Sequence, residues 1–507
     1  MDNETLDNDE ISSSDNMENN NKNKDNKNIH KRNWLRSVLK EGKWYLAASM
    51  ATKALGFFLI PIFTQYLSPS EYGVLGIITT ITELLPILLS LSIDVAFVRF
   101  YHDYKKDDEQ LAALYSSVFW FVIVFGGAML TLFIFSTYFW FEELLEVPVY
   151  PLALLAFLPA LFNQLNQLGV RFLQQSLQAR MASIVTVLSA VVNLGLSTLL
   201  LVQFELGLTG RILGITASIV INFIFLTVLF VRSGLLKFIF NRNILKEALI
   251  YSAPLVFMTA SNWINSISDR LVVAKYVDTA AVGLYSLAFQ FAMIVDIFGD
   301  AITKVLMPMS MSGLIDDKEN TKKKLAEYGA LMFIFMVFLN IGMLLFSKDV
   351  IMLMVDERYL AAYAAIPILA SRKIFGTQYR FYSILIFYHK KTKYFTISSI
   401  ATATVNLILN FIFVPKYGYI AAVWSTFVCE IVYAGMIIRF GFRLERIEVQ
   451  WRKYILTTIF FLFIIGLYLA FDLDFITRVF LLLGSTIMLL HLAEKLEDVQ
   501  KYLREMI

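Results

Sequence analysis

Runs of roughly 20 apolar residues, each closed by a short polar break, recur along almost the whole chain, and that is the length an α-helix needs to cross a hydrocarbon core. The pattern predicts fourteen helical spans, at 44–66, 73–98, 112–139, 149–170, 181–203, 208–231, 249–276, 281–306, 327–347, 360–387, 394–414, 418–438, 453–471 and 475–493. The fold class that follows is an all-α polytopic membrane protein. Residues 1–33 escape the pattern, being almost wholly polar and rich in Asn, Asp and Lys. Such a composition cannot offset the entropy of ordering, so a disordered cytoplasmic tail is predicted there. It has no apolar core followed by a cleavage site and does not read as a signal peptide.

Composition narrows the function classes. Of 507 residues, 58% are hydrophobic, 15% aromatic and only 17% charged, with a mean hydropathy of +0.63, whereas soluble domains are about a quarter charged. A water-soluble enzyme of several domains is excluded. The net charge of +3 is too small on so apolar a chain to point to nucleic acid. Cys429 is the single cysteine, which rules out an intrachain disulfide and a cysteine metal cluster. His30, His102, His389 and His491 are scattered, and no phosphate-cradling Gly-x-x-x-x-Gly-Lys loop occurs. No metal, no cofactor and no ATP hydrolysis by this chain are expected.

Basic residues set the orientation. Lys31, Arg32, Arg36, Lys40 and Lys43 precede the first span, and every second connection repeats the excess, as at Lys105 and Lys106, Lys322 to Lys324, and Lys390, Lys391 and Lys393. The intervening connections hold few, such as Lys348, Arg358 and Lys416. Both termini are therefore expected in the cytoplasm. The outward connections, such as Ser68-Pro69-Ser70-Glu71 and Asp278-Thr279, are little more than turns and leave no room for an extracytoplasmic catalytic domain.

The two halves resemble each other. Tyr66–Gly73 lies over Tyr276–Gly283 at a shift of 210, and Val192-Asn193-Leu194 ending at Gly207 lies over Val405-Asn406-Leu407 ending at Gly418. Six spans separate equivalent positions, so the repeats are parallel, related by an axis along the membrane normal, as in transporters built of two rocking lobes. The predicted organisation is the tail 1–33, a six-helix lobe 34–231, a cytoplasmic linker 232–248, a second six-helix lobe 249–438, and two additional helices with a cytoplasmic C-terminus in 439–507.

Two stretches carry a family resemblance. The first-span exit IPIFTQYLSPSEYGVLGI is similar to an Arg-x-Leu-x-Pro-x-x-Tyr-Gly hairpin, with Gln65 in place of the Arg. The stretch NLILNFIFVPKYGYIAAVWST is similar to an Asn-rich span followed by Pro-x-Tyr-Gly and a run of small residues, with Ala421 where Gly is frequent. Both patterns belong to the polysaccharide-transport branch of the multidrug/oligosaccharidyl-lipid/polysaccharide exporter superfamily, which the chain resembles over about 43–440. The resemblance implies two six-helix bundles around a central cavity that opens alternately to either side of the bacterial cytoplasmic membrane. It implies a flippase, not an enzyme, for an oligosaccharide repeat unit linked to undecaprenyl pyrophosphate, serving O-antigen, capsule or exopolysaccharide synthesis. Spans 13 and 14 would frame a groove for the lipid tail, as in lipid II flippases. The partners implied are that lipid-linked oligosaccharide, membrane lipids, H+ or Na+ where transport is coupled, and polysaccharide polymerase and assembly proteins. A monomer is expected.

Charge at membrane depth costs about 2.5–3.5 kcal/mol, so it faces a cavity or a partner. Lys53, Arg270 and Arg372, together with Arg380, Arg171 and Lys304, are the candidate cations for a pyrophosphate. Guanidinium matches phosphate oxygens bidentately, and lysine supplies a compact charge. Asn163, Gln167, Asn262, Asn265, Tyr379 and Tyr382 are candidates for sugar contacts. Glu83, Asp94, Asp269, Asp296 and Asp300 lie away from span ends and are candidates for ion coupling, with Glu83, Ser90 and Asp94 on one predicted helical face. Structural readings compete with each of these. Asp269–Arg270, Asp296 with a neighbouring cation, and Asp300–Lys304 could be ion pairs locking helices. Arg171, Lys304 and Arg380 could snorkel to the interface, and the span-four amides could bond between helices.

Other function classes remain open. A cation-coupled multidrug exporter of the same superfamily would favour an acidic and aromatic cavity, against the cations above. A polysaccharide polymerase or ligase would need a larger outward loop, and a scaffold of the assembly complex would need no cavity.

Overall fold

The computed structural model describes residues 44–45, 47–146 and 150–492, without the side chains of 304, 305 and 308. The predicted tail 1–33, its basic flank and the last residues of the chain lie outside the described residues. Within them the chain is helical almost throughout and forms no strand, because backbone polar groups in lipid must be satisfied within the protein.

The first lobe comprises α1 (Ala47–Tyr66), α2 (Pro69–Ser90), α3 (Ile93–Tyr104), α4 (Asp108–Thr137), α5 (Leu152–Gln175), α6 (Ala179–Gln203) and α7 (Gly207–Arg232). The second comprises α8 (Arg242–Ile267), α9 (Asp269–Tyr276), α10 (Thr279–Asp316), α11 (Lys318–Met354), α12 (Ile366–Tyr388), α13 (Lys393–Tyr417) and α14 (Tyr419–Leu444). Two further helices follow, α15 (Trp451–Ala470) and α16 (Phe475–Leu492). Among the described residues, thirteen helices are long and apolar enough to cross a membrane. Helix α12 has the length, at 23 residues, but carries Arg372, Lys373 and Arg380.

The structure redraws two predicted boundaries. Leu91 and Ser92 both have left-handed backbone, at φ 51° and 57°, and split the second predicted span into α2 and α3. Helix α8 starts at Arg242 instead of 249, because the Asn241 side chain accepts from the N–H groups of Asn243 and Ile244 at 3.0 and 3.2 Å while Ile244, Leu245 and Ala248 are buried. The connection between the lobes is therefore 233–241, not 232–248.

The lobes meet where α2 crosses α10. A Cβ on Gly73 would lie 1.7 Å from the Thr279 carbonyl oxygen, and one on Gly283 would lie 2.0 Å from that of Pro69. Both pairs, 73 with 283 and 69 with 279, are separated by the 210 residues of the repeat. The contact is thus reciprocal between equivalent residues, as a pseudo-two-fold axis requires. The Ser70 and Thr279 hydroxyls, 2.5 Å apart, join the same crossing, and Tyr359 donates to the Leu67 carbonyl at 2.9 Å. This end of the bundle, which carries the connections at 67–68 and 277–278, is called distal below; the opposite end, with 233–241, is proximal.

Helices α15 and α16 pack on the second lobe. Tyr454 of α15 donates to Gln378 Oε1 of α12 at 2.9 Å. Arg478 of α16 donates to the Leu345 carbonyl at 2.8 Å and grips Asp349 of α11. At the proximal end Glu445, just past α14, is met by Lys318 at 2.7 Å and by Lys322 and His389 at 3.3 Å. Lys318 above all, with Lys322 and His389, holds this carboxyl below the usual glutamate range.

Two outcomes follow. Because the folded Glu445 carboxyl is the stronger acid, its contribution to stability is complete above the unfolded value of about 4.3 and is lost as pH falls through the folded one. Thermal unfolding in detergent should show an acid-side loss that Glu445→Gln reduces. Cysteines at Ser70 and Thr279 should form a disulfide readily, and adding Gly73→Val should lower the crosslink yield because the crossing cannot close. An unchanged yield would show that the close approach is dispensable.

Candidate functional site

A cavity of about 810 Å³ lies between the lobes, lined from α1, α2, α6 and α7 on one side and from α8–α10 and α12–α14 on the other. Its charged groups fall in two tiers. Arg211 is four residues into α7, Arg270 six before the end of α9, and Arg372 six into α12, so at about 1.5 Å per residue all three lie within about 10 Å of the distal helix ends. Lys53, Asp296, Asp300 and Arg380 are 13 to 21 residues from those ends, about 20–30 Å along their helices.

The deeper tier is paired. Lys53 Nζ of the first lobe lies 3.3 Å from Asp300 Oδ2 of the second. Asp300 also binds Arg380, whose other nitrogen lies 3.6 Å from Asp296, and Asp296 binds Lys373. Of the predicted cations, Lys53 and Arg380 are therefore matched by carboxylates. Alongside them α1 leans on α10, with Phe57 edge-on to Phe291 at 5.3 Å.

The distal tier is not paired. Arg270 and Arg372 are 8% and 5% exposed, and both lie over the ring of Phe289, with Cζ at 5.2 and 4.5 Å from its centroid. The ring supplies a cation–π contact, but the Nε–H of each arginine is buried without an acceptor. Neither forms a salt bridge among the described residues. Guanidinium without a salt bridge in so dry a place is costly, and its open N–H groups have the geometry to donate to an anion's oxygens. Arg211, which sequence reasoning passed over, is the third such group. Its Nη1 donates to Asn193 Oδ1 at 2.8 Å and to Ser197, and its Cζ sits 4.5 Å above the Phe63 ring. It lies close to the start of the predicted span 208–231. The signal was that it lies at an outward connection, where basic residues are scarce.

The acidic candidates separate. Asp269 is fully buried and does not pair with Arg270. It accepts from Tyr285 Oη at 2.8 Å, from Asn410 Nδ2 at 2.6 Å and from Thr426, while Asn410 Oδ1 and Asn406 Nδ2 have no partner. Asp94 is bound to Arg171 at 2.8 Å inside the first lobe, and neither lines the cavity. Across the break at Leu91-Ser92 the Ser90 hydroxyl still reaches Asp94, at 3.4 Å, but of the three residues placed on one face by spacing only Glu83 lines the cavity. Glu83 and Asp296 line the cavity, as does Glu430. The side chain of Lys304 lies outside the described residues, and the predicted Asp300–Lys304 pair with it.

The polar candidates divide likewise. Asn262, Asn265 and Tyr379 line the cavity. The two asparagines are held by Ser399 of α13, with Asn262 accepting from its hydroxyl at 2.6 Å and Asn265 donating to its carbonyl at 3.0 Å. Asn163 and Gln167 are not on the lining. Tyr382 is buried beside Tyr454, their hydroxyls 3.3 Å apart, and also lies off it. Among the described residues, no three His, Cys, Asp or Glu side chains gather as metal ligands.

Two parallel lobes around a charged cavity, built wholly from helices, define an all-α multi-pass membrane protein. The fold is similar to that of the lipid II flippase MurJ in an inward closed conformation, with a TM-score of 0.71 and 16% identity over 89% of this chain and 98% of that one. It is similar also to an inward-facing multidrug resistance MATE transporter of the MOP superfamily, with a TM-score of 0.65 and 16% identity over 77% and 94%. The chain belongs to the polysaccharide biosynthesis protein family, whose model matches residues 62–364. Its relatives include a membrane protein of Haemophilus influenzae, 24% identical over 73% of this chain and 89% of that protein. Another is a membrane protein in the cps region of Klebsiella pneumoniae, 25% identical over 64% and 65%.

Among the described residues, Lys53–Asp300 is the salt bridge that joins the two lobes. A double-mutant cycle on Lys53→Met and Asp300→Asn, read as thermal stability in detergent, should give a coupling of roughly 0.5–1 kcal/mol for so partly exposed a pair. Strict additivity would mean that the contact does not hold the lobes.

Proposed function

We propose that the protein is a flippase that carries an oligosaccharide linked to undecaprenyl pyrophosphate across the bacterial cytoplasmic membrane by alternating access, for surface polysaccharide synthesis. The distal end is then extracytoplasmic and both termini are cytoplasmic. The single observation that carries this reading is the pair of guanidiniums without a salt bridge, Arg270 and Arg372, that share the ring of Phe289 in the cavity. A diphosphate diester brings about two negative charges and oxygens spaced for bidentate guanidinium contacts. The family assignment and the likeness to a lipid flippase support the same substrate class. A headgroup entering from the proximal end passes the paired tier, releases Lys53 from Asp300, and stops at the distal tier beneath the closed α2–α10 crossing. Residues 44–231 then rock against 249–438 about the connection at the proximal end. The lipid tail stays in the bilayer, along α15 and α16. A multidrug exporter for cationic compounds is disfavoured by the same arginines.

Asp269 suits ion coupling. It is a buried carboxylate with neutral donors only, and the neighbouring Asn410 amide oxygen is left without a donor, so a small cation bound between them would complete its charge balance.

Arg270→Ala or Arg372→Ala should lower glycan export at least tenfold, the loss expected of a charge-assisted contact worth about 1.5–3 kcal/mol, with the protein level in the membrane unchanged. Lysine at either position should keep part of the activity. Normal export by both alanine variants would refute the site. For coupling, vesicle transport driven by a pH or sodium gradient should become indifferent to that gradient in Asp269→Asn; a retained response would move coupling elsewhere.

A further inference from the structure

We infer that Arg211 forms a second anion subsite, on the first lobe, that takes the carboxylate of an acidic sugar in the transported glycan; the inference rests on the flippase reading above. The charge balance of the cavity points to it. Lys53, Lys373 and Arg380 each have a carboxylate partner in Asp296 or Asp300. The distal tier holds three guanidiniums, and none has a carboxylate partner among the described residues. A diphosphate matches two of them. Arg270 and Arg372 share one ring and one lobe, which leaves Arg211 on the opposite wall.

The local construction agrees. Asn193 and Ser197 of α6 and the ring of Phe63 in α1 fix the Arg211 guanidinium in place, and its Nε–H is buried without an acceptor. Fixing a guanidinium beforehand cuts the entropy a ligand must overcome. The lining beside it is Phe63, Leu194 and Tyr72, and the Tyr72 hydroxyl is already given to Gln290 at 2.7 Å. That wall suits the apolar face of a pyranose ring but offers a phosphate no further donor.

The repeat supplies an independent observation. Asn193 and Ser197 correspond to Asn406 and Asn410 at a shift of 213. In the second lobe Asn410 donates to the Asp269 carboxylate, at 2.6 Å. In the first lobe the equivalent polar pair accepts from a cation instead. Equivalent pockets in the two lobes therefore carry opposite fixed charges, and the first-lobe pocket complements an anion.

The test uses purified protein in lipid nanodiscs and two synthetic probes: a polyprenyl diphosphate bearing a neutral disaccharide, and the same lipid with a terminal uronic acid. The wild type should bind the uronate probe about tenfold or more tightly, as a charge-assisted hydrogen bond allows. Arg211→Gln should remove that preference and leave the neutral probe unaffected, whereas Arg372→Gln should weaken both. If Arg211→Gln does not fold, Arg211→Lys decides, because it should retain part of the preference. Equal weakening of both probes by the Arg211 variants would place Arg211 in the diphosphate site and overturn the inference. An undiminished uronate preference in them would overturn it too. Wild type that binds neither probe would refute the flippase reading, and this inference with it.

Discussion

A positive charge held at membrane depth has to be answered by something, and the architecture around the cavity follows from how each cation is answered. In the deeper tier the answer comes from the protein itself, through Asp296 and Asp300 on one face of the long helix α10. In the distal tier no carboxylate is supplied, and aromatic rings carry the guanidiniums instead. Aromatic support fixes a guanidinium without neutralising it, and so keeps it available to a ligand. The same helix α10 makes this division possible. Its N-terminal turns close on α2 through Gly73 and Gly283, and its middle turns present Phe289 and Asp296 to the cavity and Asp300 to Lys53 and Arg380.

Much of the fold was legible in the sequence because hydrocarbon imposes a length and an apolarity that a chain cannot hide. Thirteen of the fourteen predicted spans reappear among the described residues as helices long and apolar enough to cross a membrane, and the 210-residue repeat reappears physically as the reciprocal contact of Gly73 with Thr279 and of Gly283 with Pro69. The site was less legible. Spacing along a helix says which residues share a face only while the helix lasts; Leu91-Ser92 ends it after Ser90, and Asp94, though still within reach of Ser90, bonds to Arg171 inside the first lobe while Glu83 lines the cavity. Nor does a list of buried charges say which will find each other. Asp269 precedes Arg270 in sequence yet bonds to Tyr285, Asn410 and Thr426, and Lys53 bonds to a residue 247 positions away. Those pairings depend on how the lobes face one another, which no local pattern encodes.

The two additional helices bear on how a long lipid could be handled. Through Tyr454 and Arg478, α15 and α16 are fastened at two levels to α11 and α12, and α12 also bears Arg372. In the proposed cycle these helices travel with the second lobe as one carriage. The distance from the arginine pair to the flank where an isoprenoid chain would run is then constant through the stroke. A cargo riding on that carriage would keep its head and its tail in fixed register, and only the first lobe would slide past it.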